Sequence, residues 1–532
     1  MIRCPSAWSR AFLAATLVLT PLAAQRGATH PDFLSAVRCG DCHSAVESAN
    51  ALWNATGDDV SPYTLWRGTM MANAFRDPYW RAQVSKEVAA NPEKRAEIEG
   101  LCITCHSPIA HHRARHAGGH ADSIEALLKD ELAQEGVSCT VCHQARPDGF
   151  GTPATFGGKL DVRPDGVIWG PFEEPAIGPM LAQTGYTPRH GPHLRDAGLC
   201  ASCHTLHTSH VPGGAPFPEQ SPFLEWQNSR YAVAGGEHAR TCQQCHMPEQ
   251  GTMKIARNPG GFDFNIEDRS GVRGHAFVGG NAFMLDLMRK NHKELGMKAP
   301  GELLKRVARA TRQQLATRTA TIAVQDAEVK DGRLEFAVKV TNETGHKLPT
   351  GYPARRAWLR VLVRRGNQVL FQSGAFGDDG RLAGAAKEHG LPHFDVIESP
   401  EQVQVYELVA HDVAAAPTTQ LTRMATRGKD NRLLPHGWLD DGPNVGDTAP
   451  TGLGDDADFE AGADLVHYRV KLEGASGAPL TIVAWFLYQP VPPVWVDALR
   501  DVDTEECKRF VRMYDAADKT PETLALTVKI LE

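Results

Sequence analysis

The sequence predicts a chain of two parts, a mostly irregular first part with short α-helices and an all-β sandwich of immunoglobulin-like architecture behind it. Three observations support this fold class. Ten of the 12 cysteines recur in one short motif before residue 250. The same region is rich in Gly, Pro and His, with few periodic segments. After residue 318, short stretches that alternate apolar and polar residues are separated by turn residues.

The bulk composition is that of an ordinary globular protein. The chain has 532 residues, of which 42% are apolar and 22% charged, and its net charge is −7. This length favours two or more domains. Because DNA or RNA binding needs a concentrated basic surface, nucleic acid has no support as a partner.

The first residues have the pattern of an export signal. Arg3 and Arg10 precede an apolar run over residues 11–24, and small residues lie near a cleavage point before Gln25. We expect residues 1–24 to be a removed signal peptide, with an uncleaved anchor as the alternative. No later segment is apolar enough to span a bilayer. The sequence thus predicts a periplasmic or extracellular protein with no transmembrane segment after signal removal.

Five copies of the motif C-x-x-C-H follow this segment. They are Cys39, Cys42 and His43; Cys102, Cys105 and His106; Cys139, Cys142 and His143; Cys200, Cys203 and His204; and Cys242, Cys245 and His246. Two thiols on one turn bond to the two vinyl groups at one porphyrin edge, and the next imidazole binds the iron. A single copy would also fit a zinc knuckle or a redox dithiol. Five copies predict five covalently bound haem c groups.

The haems are expected to fill the core of the first part. Residues 31–280 offer too little side-chain hydrocarbon to fold alone, so we predict a pentahaem cytochrome c domain there. Only residues 122–135 carry a longer helical pattern within it. Residues 281–320 are predicted to be a helical connector and residues 321–532 a β-sandwich domain.

Within the predicted sandwich domain, five stretches carry the period-two pattern of strands. They are residues 334–340, 358–364, 403–409, 467–472 and 481–488. Cys507 lies in a predicted C-terminal helix, as a buried thiol or in an intermolecular disulfide.

The second axial position of each iron needs a ligand from elsewhere in the chain. His275 lies among glycines that let backbone approach a flat ring closely. His346 lies in a rigid turn, GHKLPTG, between two predicted strands. His190 and His193 flank a Gly-Pro pair, and we take His193 as the candidate of the two. Each has an alternative role as an ordinary turn or surface histidine.

Several segments resemble the multihaem cytochromes related to the tetrahaem nitrification cytochrome family. They are residues 225–248 (EWQNSRYAVAGGEHARTCQQCHMP), residues 136–143 (GVSCTVCH) and the HAFVGGN stretch around His275. A weaker likeness in GHKLPTGYPARRAWL and KDNRLLPHGW points to larger members with an appended β-sandwich. The resemblance implies electron transfer through closely stacked haems, although such relatives also include redox enzymes.

The sequence departs from this family at two tryptophans. Where relatives place a ligand histidine after Trp66, this chain has Met70 and Met71. Met71 as a thioether ligand would raise the potential of its haem, whereas the alternative is a methionine that fills a gap in the core. Tyr231 follows Trp226 in the same way, and it either borders an open haem or packs as an ordinary aromatic residue.

Two functional classes fit the sequence, and a third is less favoured. In the preferred interpretation the protein is an electron carrier between redox partner proteins, either other cytochromes or a quinol-oxidising complex. In the second, one haem keeps an open position and converts a small nitrogen or sulfur species. All five motifs end in histidine, which argues against the pentahaem nitrite reductases with their lysine variant. In the third, the β domain forms filaments as a structural conduit.

Overall fold

The structure is a computed structural model that describes residues 32–209, 215–384, 389–472 and 478–532. The predicted signal peptide, residues 1–24, lies outside these ranges. Among the described residues, no helix is both long enough and apolar enough to cross a membrane.

The first part of the chain consists of short helices joined by loops. The helices are α1 (Ala36–His43), α2 (Pro62–Arg67), α3 (Pro78–Ala90), α4 (Arg95–His106), α5 (Pro108–His116), α6 (Ile124–Leu127), α7 (Cys139–Cys142), α8 (Ile177–Thr184), α9 (Ala197–Ala201), α10 (Pro222–Gln227) and α11 (Cys242–His246). Two small sheets interrupt them, formed by β1 (Val167–Gly170) with β2 (Thr187–His190) and by β3 (Leu206–Thr208) with β4 (Phe217–Gln220).

The five C-x-x-C-H motifs begin in helices α1, α4, α7, α9 and α11. Polar side chains start three of these short helices by accepting backbone N–H groups: Ser35 caps α1, Asp196 caps α9 and Thr241 caps α11. One helical turn places the two thiols of a motif on the same side, which is the local geometry that attachment to one porphyrin edge requires.

The apolar residues of the first part form several small clusters instead of one core. Ala36, Trp66 and Ala72 make one such cluster, and Phe223 with Leu224 contributes to another. Clusters of this size bury too little area to offset the chain entropy of the whole region. The pattern agrees with the expectation that cofactors fill its interior.

Two helices follow where the connector is predicted, α12 (Ala282–Lys290) and α13 (Gly301–Arg318). They share a core with α3 and with two helices from the C-terminal region, α15 (Pro493–Arg500) and α16 (Glu505–Asp515). Cys507 is buried in α16, and its Sγ lies 3.3 Å from the Ala82 carbonyl oxygen of α3. The C-terminal helices therefore bind the second part of the chain to the first.

The described residues of the second part form ten strands. They are β5 (Ala320–Lys330), β6 (Arg333–Asn342), β7 (Arg356–Arg365), β8 (Gln368–Ser373), β9 (Val396–Ile397), β10 (Val405–His411), β11 (Thr426–Asp430), β12 (Ala463–Lys471), β13 (Leu480–Gln489) and β14 (Glu522–Leu531). A one-turn helix, α14 (Val445–Thr448), separates β11 from β12. All five predicted strand stretches are confirmed, because they coincide with β6, β7, β10, β12 and β13.

The ten strands form two sheets that face each other. One has the order β11-β10-β7-β13-β14, with β8 paired to β7, and the other has the order β5-β6-β12-β9. Inward residues such as Val338, Val361 and Phe486 belong to one shared core. This is a two-sheet sandwich, and the finer immunoglobulin-like assignment stays a prediction.

Two expectations about secondary structure are wrong in detail. The second part is not purely β, because helices α14, α15 and α16 lie between β11 and β14. Residues 122–135 do not form one helix. Only Ile124–Leu127 and a 3₁₀ turn at Ala133–Glu135 are helical, because the Asp130 side chain accepts the N–H groups of Leu132 and Ala133 and starts a new turn.

Candidate functional site

A cavity of about 1700 Å³ runs through the first part and is closed by residues of the second. All ten motif cysteines line its wall. Its volume exceeds the roughly 300–1,000 Å³ of a pocket for one drug-sized ligand. Ten thiols around one space of this size fit several porphyrins attached at their edges better than one small molecule.

Thiols of different motifs touch one another inside this cavity. Cys139 donates a hydrogen bond to Cys39, and this contact, with burial, raises the pKa of Cys139. The Cys200 thiol donates to Cys242 in the same way. With the five motifs numbered 1 to 5 in chain order, motif 1 therefore adjoins motif 3, and motif 4 adjoins motif 5.

Motif 4 has two further neighbours. A hydrogen bond to Cys105 raises the pKa of Cys203, which joins motif 4 to motif 2. The Cys142 thiol lies within electrostatic reach of Cys203, which joins motif 4 to motif 3. The five motifs thus form one connected set with motif 4 as its branch point.

Four of the five motif histidines have the same orientation. Their Nδ1 atoms lie next to backbone carbonyl oxygens, so that Nδ1 carries the proton and Nε2 keeps its lone pair free for a metal. The partners are Ile255 for His43 (2.9 Å), Ala74 for His106 (3.1 Å), Trp169 for His143 (2.6 Å) and Val278 for His246 (2.6 Å). Burial lowers the pKa of every motif histidine, and the pKa of His106 and of His204 falls to about 4. Neutral imidazole is the form that binds iron.

His275 lies opposite the motif histidine His143. The two ring centroids are 6.4 Å apart, and the ring planes differ by 13°. A metal ion bound between two imidazole nitrogens at about 2.0 Å each separates the centroids by roughly this distance. The Nδ1 of His275 lies 3.1 Å from the Arg273 carbonyl oxygen, and burial lowers its pKa to about 3. This side chain therefore meets the requirements of an axial ligand.

His346 stands in the same relation to His246. Their ring centroids are 6.3 Å apart, with planes that differ by 12°. The Nδ1 of His346 lies 2.9 Å from the carbonyl oxygen of Lys347, and burial lowers its pKa to about 4. Since His346 follows strand β6, the sandwich contributes a side chain to the wall of the cavity.

Within the described ranges, His43, His106 and His204 have no comparable imidazole opposite them. His193, which we predicted as a ligand, is not brought to the cavity wall. Its Nε2 lies 3.1 Å from the carbonyl oxygen of Ala145, and its ring packs edge-on against Trp169.

Met71 and Tyr231 both line the cavity. The carbonyl oxygen of Met71 accepts the N–H of Val137 at 2.9 Å, which ties Met71 to the chain just before the third motif. The Tyr231 hydroxyl donates to the carbonyl oxygen of Glu343 at 2.9 Å, so its polar atom is already used.

One face of helix α3 near the second motif was not predicted from the sequence. Trp80 stacks on His106, and Tyr79 and Gln83 face the same cavity. The Tyr79 hydroxyl, both polar atoms of Gln83 and the hydroxyl of Tyr352 are buried, and Gln83 and Tyr352 lie within reach of the Tyr79 hydroxyl. The helical spacing of Tyr79, Trp80 and Gln83 was the available signal, although it does not say which face meets a cofactor.

A group of potential metal ligands in the sandwich is explained by hydrogen bonds alone. Gln404 and Asn431 donate amide N–H groups to Nδ1 of His393 at 2.8 and 2.9 Å. The ring proton therefore lies on Nε2, 2.6 Å from Asp456. Because both ring nitrogens are engaged, we assign no cation to His393, Asp456 and Asp464, which lie close together.

One solved structure shares this architecture. A penta-heme cytochrome c552 from Thermochromatium tepidum matches with a TM-score of 0.53 and 17% identity, over 94% of this chain and 99% of that chain. No protein-family model and no curated protein matches the chain. The chain therefore has the fold of a multihaem cytochrome c.

Proposed function

We propose that the protein is a pentahaem c-type cytochrome that transfers electrons outside the cytoplasm. The observation that carries this proposal is the single cavity lined by the ten cysteines of five C-x-x-C-H motifs. The likeness to a penta-heme cytochrome supports the same number of cofactors. Haem supplies one-electron chemistry, and the contacts between motifs favour electron exchange between neighbouring groups.

The axial ligands are part of this proposal. We assign His275 to the iron bound by His143 and His346 to the iron bound by His246, because each pair has the separation and the nitrogen orientation that two axial imidazoles need. Met71 stays a candidate at the cavity wall. The position of His193 gives it no support beyond the sequence pattern.

The setting of the protein is also a proposal. The predicted signal peptide supports a periplasmic or extracellular location, where other cytochromes or a quinol-oxidising complex would be redox partners. A relation to the tetrahaem nitrification cytochrome family, with an appended sandwich domain, is supported by the residues of the resembling segments that line the cavity, among them Trp226, His275 and His346. Filament formation stays a prediction that electron microscopy tests.

Haem counting tests the main proposal. The protein is purified from a host that matures c-type cytochromes, and its intact mass and pyridine haemochrome absorbance are measured. We expect five haems per chain. A colourless protein, or one without added mass, would overturn the proposal.

One observation favours oxidoreductase activity at the second motif as another candidate function. His106 has no opposed imidazole among the described residues, whereas the buried polar side chains of Tyr79, Gln83 and Tyr352 line the same cavity. Tyr352 also lies within electrostatic reach of the Cys102 thiol. If the iron held by His106 has an open position, these hydroxyl and amide groups would offer hydrogen bonds to a small nitrogen or sulfur species bound there.

Electron paramagnetic resonance separates this candidate from a pure carrier. We expect a high-spin ferric signal that shifts when hydroxylamine, nitrite or sulfite is added. In Tyr79→Phe and Tyr352→Phe, we expect the protein to bind these ligands more weakly, so that a higher ligand concentration is needed for the same shift. Tyr468→Phe is the matched control, because the Tyr468 hydroxyl is also buried but lies in the sandwich core. Five low-spin signals that do not change when these ligands are added would rule out the oxidoreductase candidate and leave electron transfer as the function.

A further inference from the structure

Four buried charged side chains lie between helix α10 of the first part and the sandwich. The Lys347 Nζ is 2.8 Å from the Asp430 Oδ2, and both side chains are 0% exposed. The Arg432 guanidinium donates to both oxygens of Asp430, at 2.7 and 2.9 Å. Its other nitrogen lies 2.9 Å from the Glu225 Oε1 of α10. Arg427 adds a third base at the edge of this cluster, with its Nη1 3.5 Å from the Asp430 Oδ2.

The same cluster holds the loop that carries His346. The Lys347 N–H, next to His346 in the chain, donates to Glu225 Oε2 at 3.1 Å. The hydroxyl of Thr350 donates to the same oxygen at 2.5 Å. Glu225 therefore binds the loop at two points, one on each side of its central turn.

The far side of the loop is fixed by backbone pairing. Leu348 and Leu433 exchange both N–H···O bonds, at 2.9 and 3.0 Å, and Leu433 directly follows Arg432. Asn342 donates to the carbonyl oxygen of His346 at 2.8 Å. These contacts leave the backbone on both sides of His346 little freedom.

Buried ion pairs are weak contributors to stability, but they fix geometry because no solvated alternative is available to either charge. A hydrophobic contact of the same area would let the loop slide, since it has no direction. Arg432 is suited to this task because its planar fork bridges Asp430 and Glu225 at once, which a lysine does not do.

We propose that Glu225, Asp430, Arg432 and Lys347 are positioning residues that hold the His346 imidazole opposite His246. The inference rests on the proposed function, in which His346 is an axial ligand. It adds that His346 is held by charges from two parts of the chain, so that α10 and the sandwich together would determine how firmly His346 binds an iron held by His246.

Ligand displacement in the holoprotein tests the inference. Asp430→Asn and Glu225→Gln are compared with wild type by cyanide binding, by the low-spin signals in electron paramagnetic resonance and by redox titration. We expect cyanide to enter one haem about tenfold faster or more, with a broadened low-spin signal and a changed midpoint potential for that haem. Arg432→Lys keeps the charge without the fork, and we expect a smaller change of the same kind.

The matched control is Glu407→Gln. Glu407 forms a buried ion pair with Lys429 at 3.3 Å, one residue from Asp430, but the Lys429 ammonium points to Leu391 and Val405 instead of the His346 loop. We expect this variant to lose stability while its haem signals stay as in wild type. Equal haem signals in all variants and the control would overturn the positioning role.

His346→Ala separates the two levels of the proposal. If it leaves every haem signal unchanged, the ligand assignment itself is wrong. If it removes one low-spin signal while Asp430→Asn, Glu225→Gln and Arg432→Lys do not disturb that signal, only the positioning role fails.

Discussion

The indole ring of Trp80 lies face-on against the imidazole of His106, with ring centroids 4.4 Å apart and planes within 6° of parallel. The start of helix α3 sets this arrangement. Asp77 accepts the N–H groups of Tyr79 and Trp80, and Pro78 occupies the first helical position. The second motif histidine is thus braced by an aromatic ring, whereas His143 and His246 face imidazoles.

Removing this ring is expected to destabilise the protein and disturb a single haem. Trp80→Ala should lower the free energy of unfolding by about 3–5 kcal/mol, the usual range for a buried tryptophan. Trp80→Phe keeps an aromatic face and should lose about 1–2 kcal/mol. Denaturant unfolding measures the change. An alanine variant as stable as wild type would show that the stack contributes nothing.

His275→Ala is expected to convert one low-spin haem to a high-spin one without loss of haem. The reason is that the imidazole opposite His143 is removed while both thioether attachments of motif 3 stay. Spin counting by electron paramagnetic resonance measures the conversion, and haemochrome absorbance checks the haem number. His193→Ala is the control, because its Nε2 is bonded to a carbonyl oxygen. If the control and His275→Ala behave alike, the assignment of His275 is wrong.

Protein made without haem attachment is expected to keep the sandwich and lose the first part. Without haem, the apolar wall of the cavity would face water, and the small clusters around it bury too little area to hold the helices together. Hydrogen exchange on the full chain should protect β7, β12 and β13 and leave α1, α4 and α7 open. Protected helices in the haem-free chain would contradict this.

Asp464 is expected to make the sandwich less stable as pH rises. Burial, with Asp456 nearby, raises the pKa of Asp464 from 3.8 to about 6, although the Tyr406 hydroxyl opposes this. The folded state therefore binds more protons than the unfolded state between these values, and stability falls through that window, by at most about 3 kcal/mol. Asp464→Asn should flatten the pH profile of denaturant midpoints between pH 4 and 6. An equally steep profile in the variant would assign the slope to another group.

The strands of the sandwich were predictable because their signal is local. In β12, buried residues alternate with half-buried or exposed ones, because successive side chains leave the pleat on opposite sides and one side faces the other sheet. The motif cysteines were predictable for the same reason, since one helical turn holds each pair of thiols.

Local pattern failed where a polar side chain competed with the helix. Residues 122–135 have helical periodicity, yet Asp130 accepts two backbone N–H groups and interrupts the segment. The periodicity depends only on the spacing of apolar residues. It therefore does not show that a carboxylate accepts backbone N–H groups and ends the helix.

The pairing of the opposed histidines depends on contacts distant in sequence. His143 with His275 and His246 with His346 are each about a hundred residues or more apart. The sequence identified both His275 and His346 as candidates through their glycine and proline neighbours. It did not say which motif histidine each one faces, because packing within the first part decides this for His275, and packing of the sandwich against the first part decides it for His346.

The residues that line the cavity come from two distant parts of the chain. Its thiols come from the first 245 residues, whereas Tyr352, Arg355 and Tyr488 close it from the far end of the chain. In the proposed pentahaem protein, each thiol would have to react with its haem before those closing residues pack over the cavity. The chain would then bind its haems while still open and close around them last.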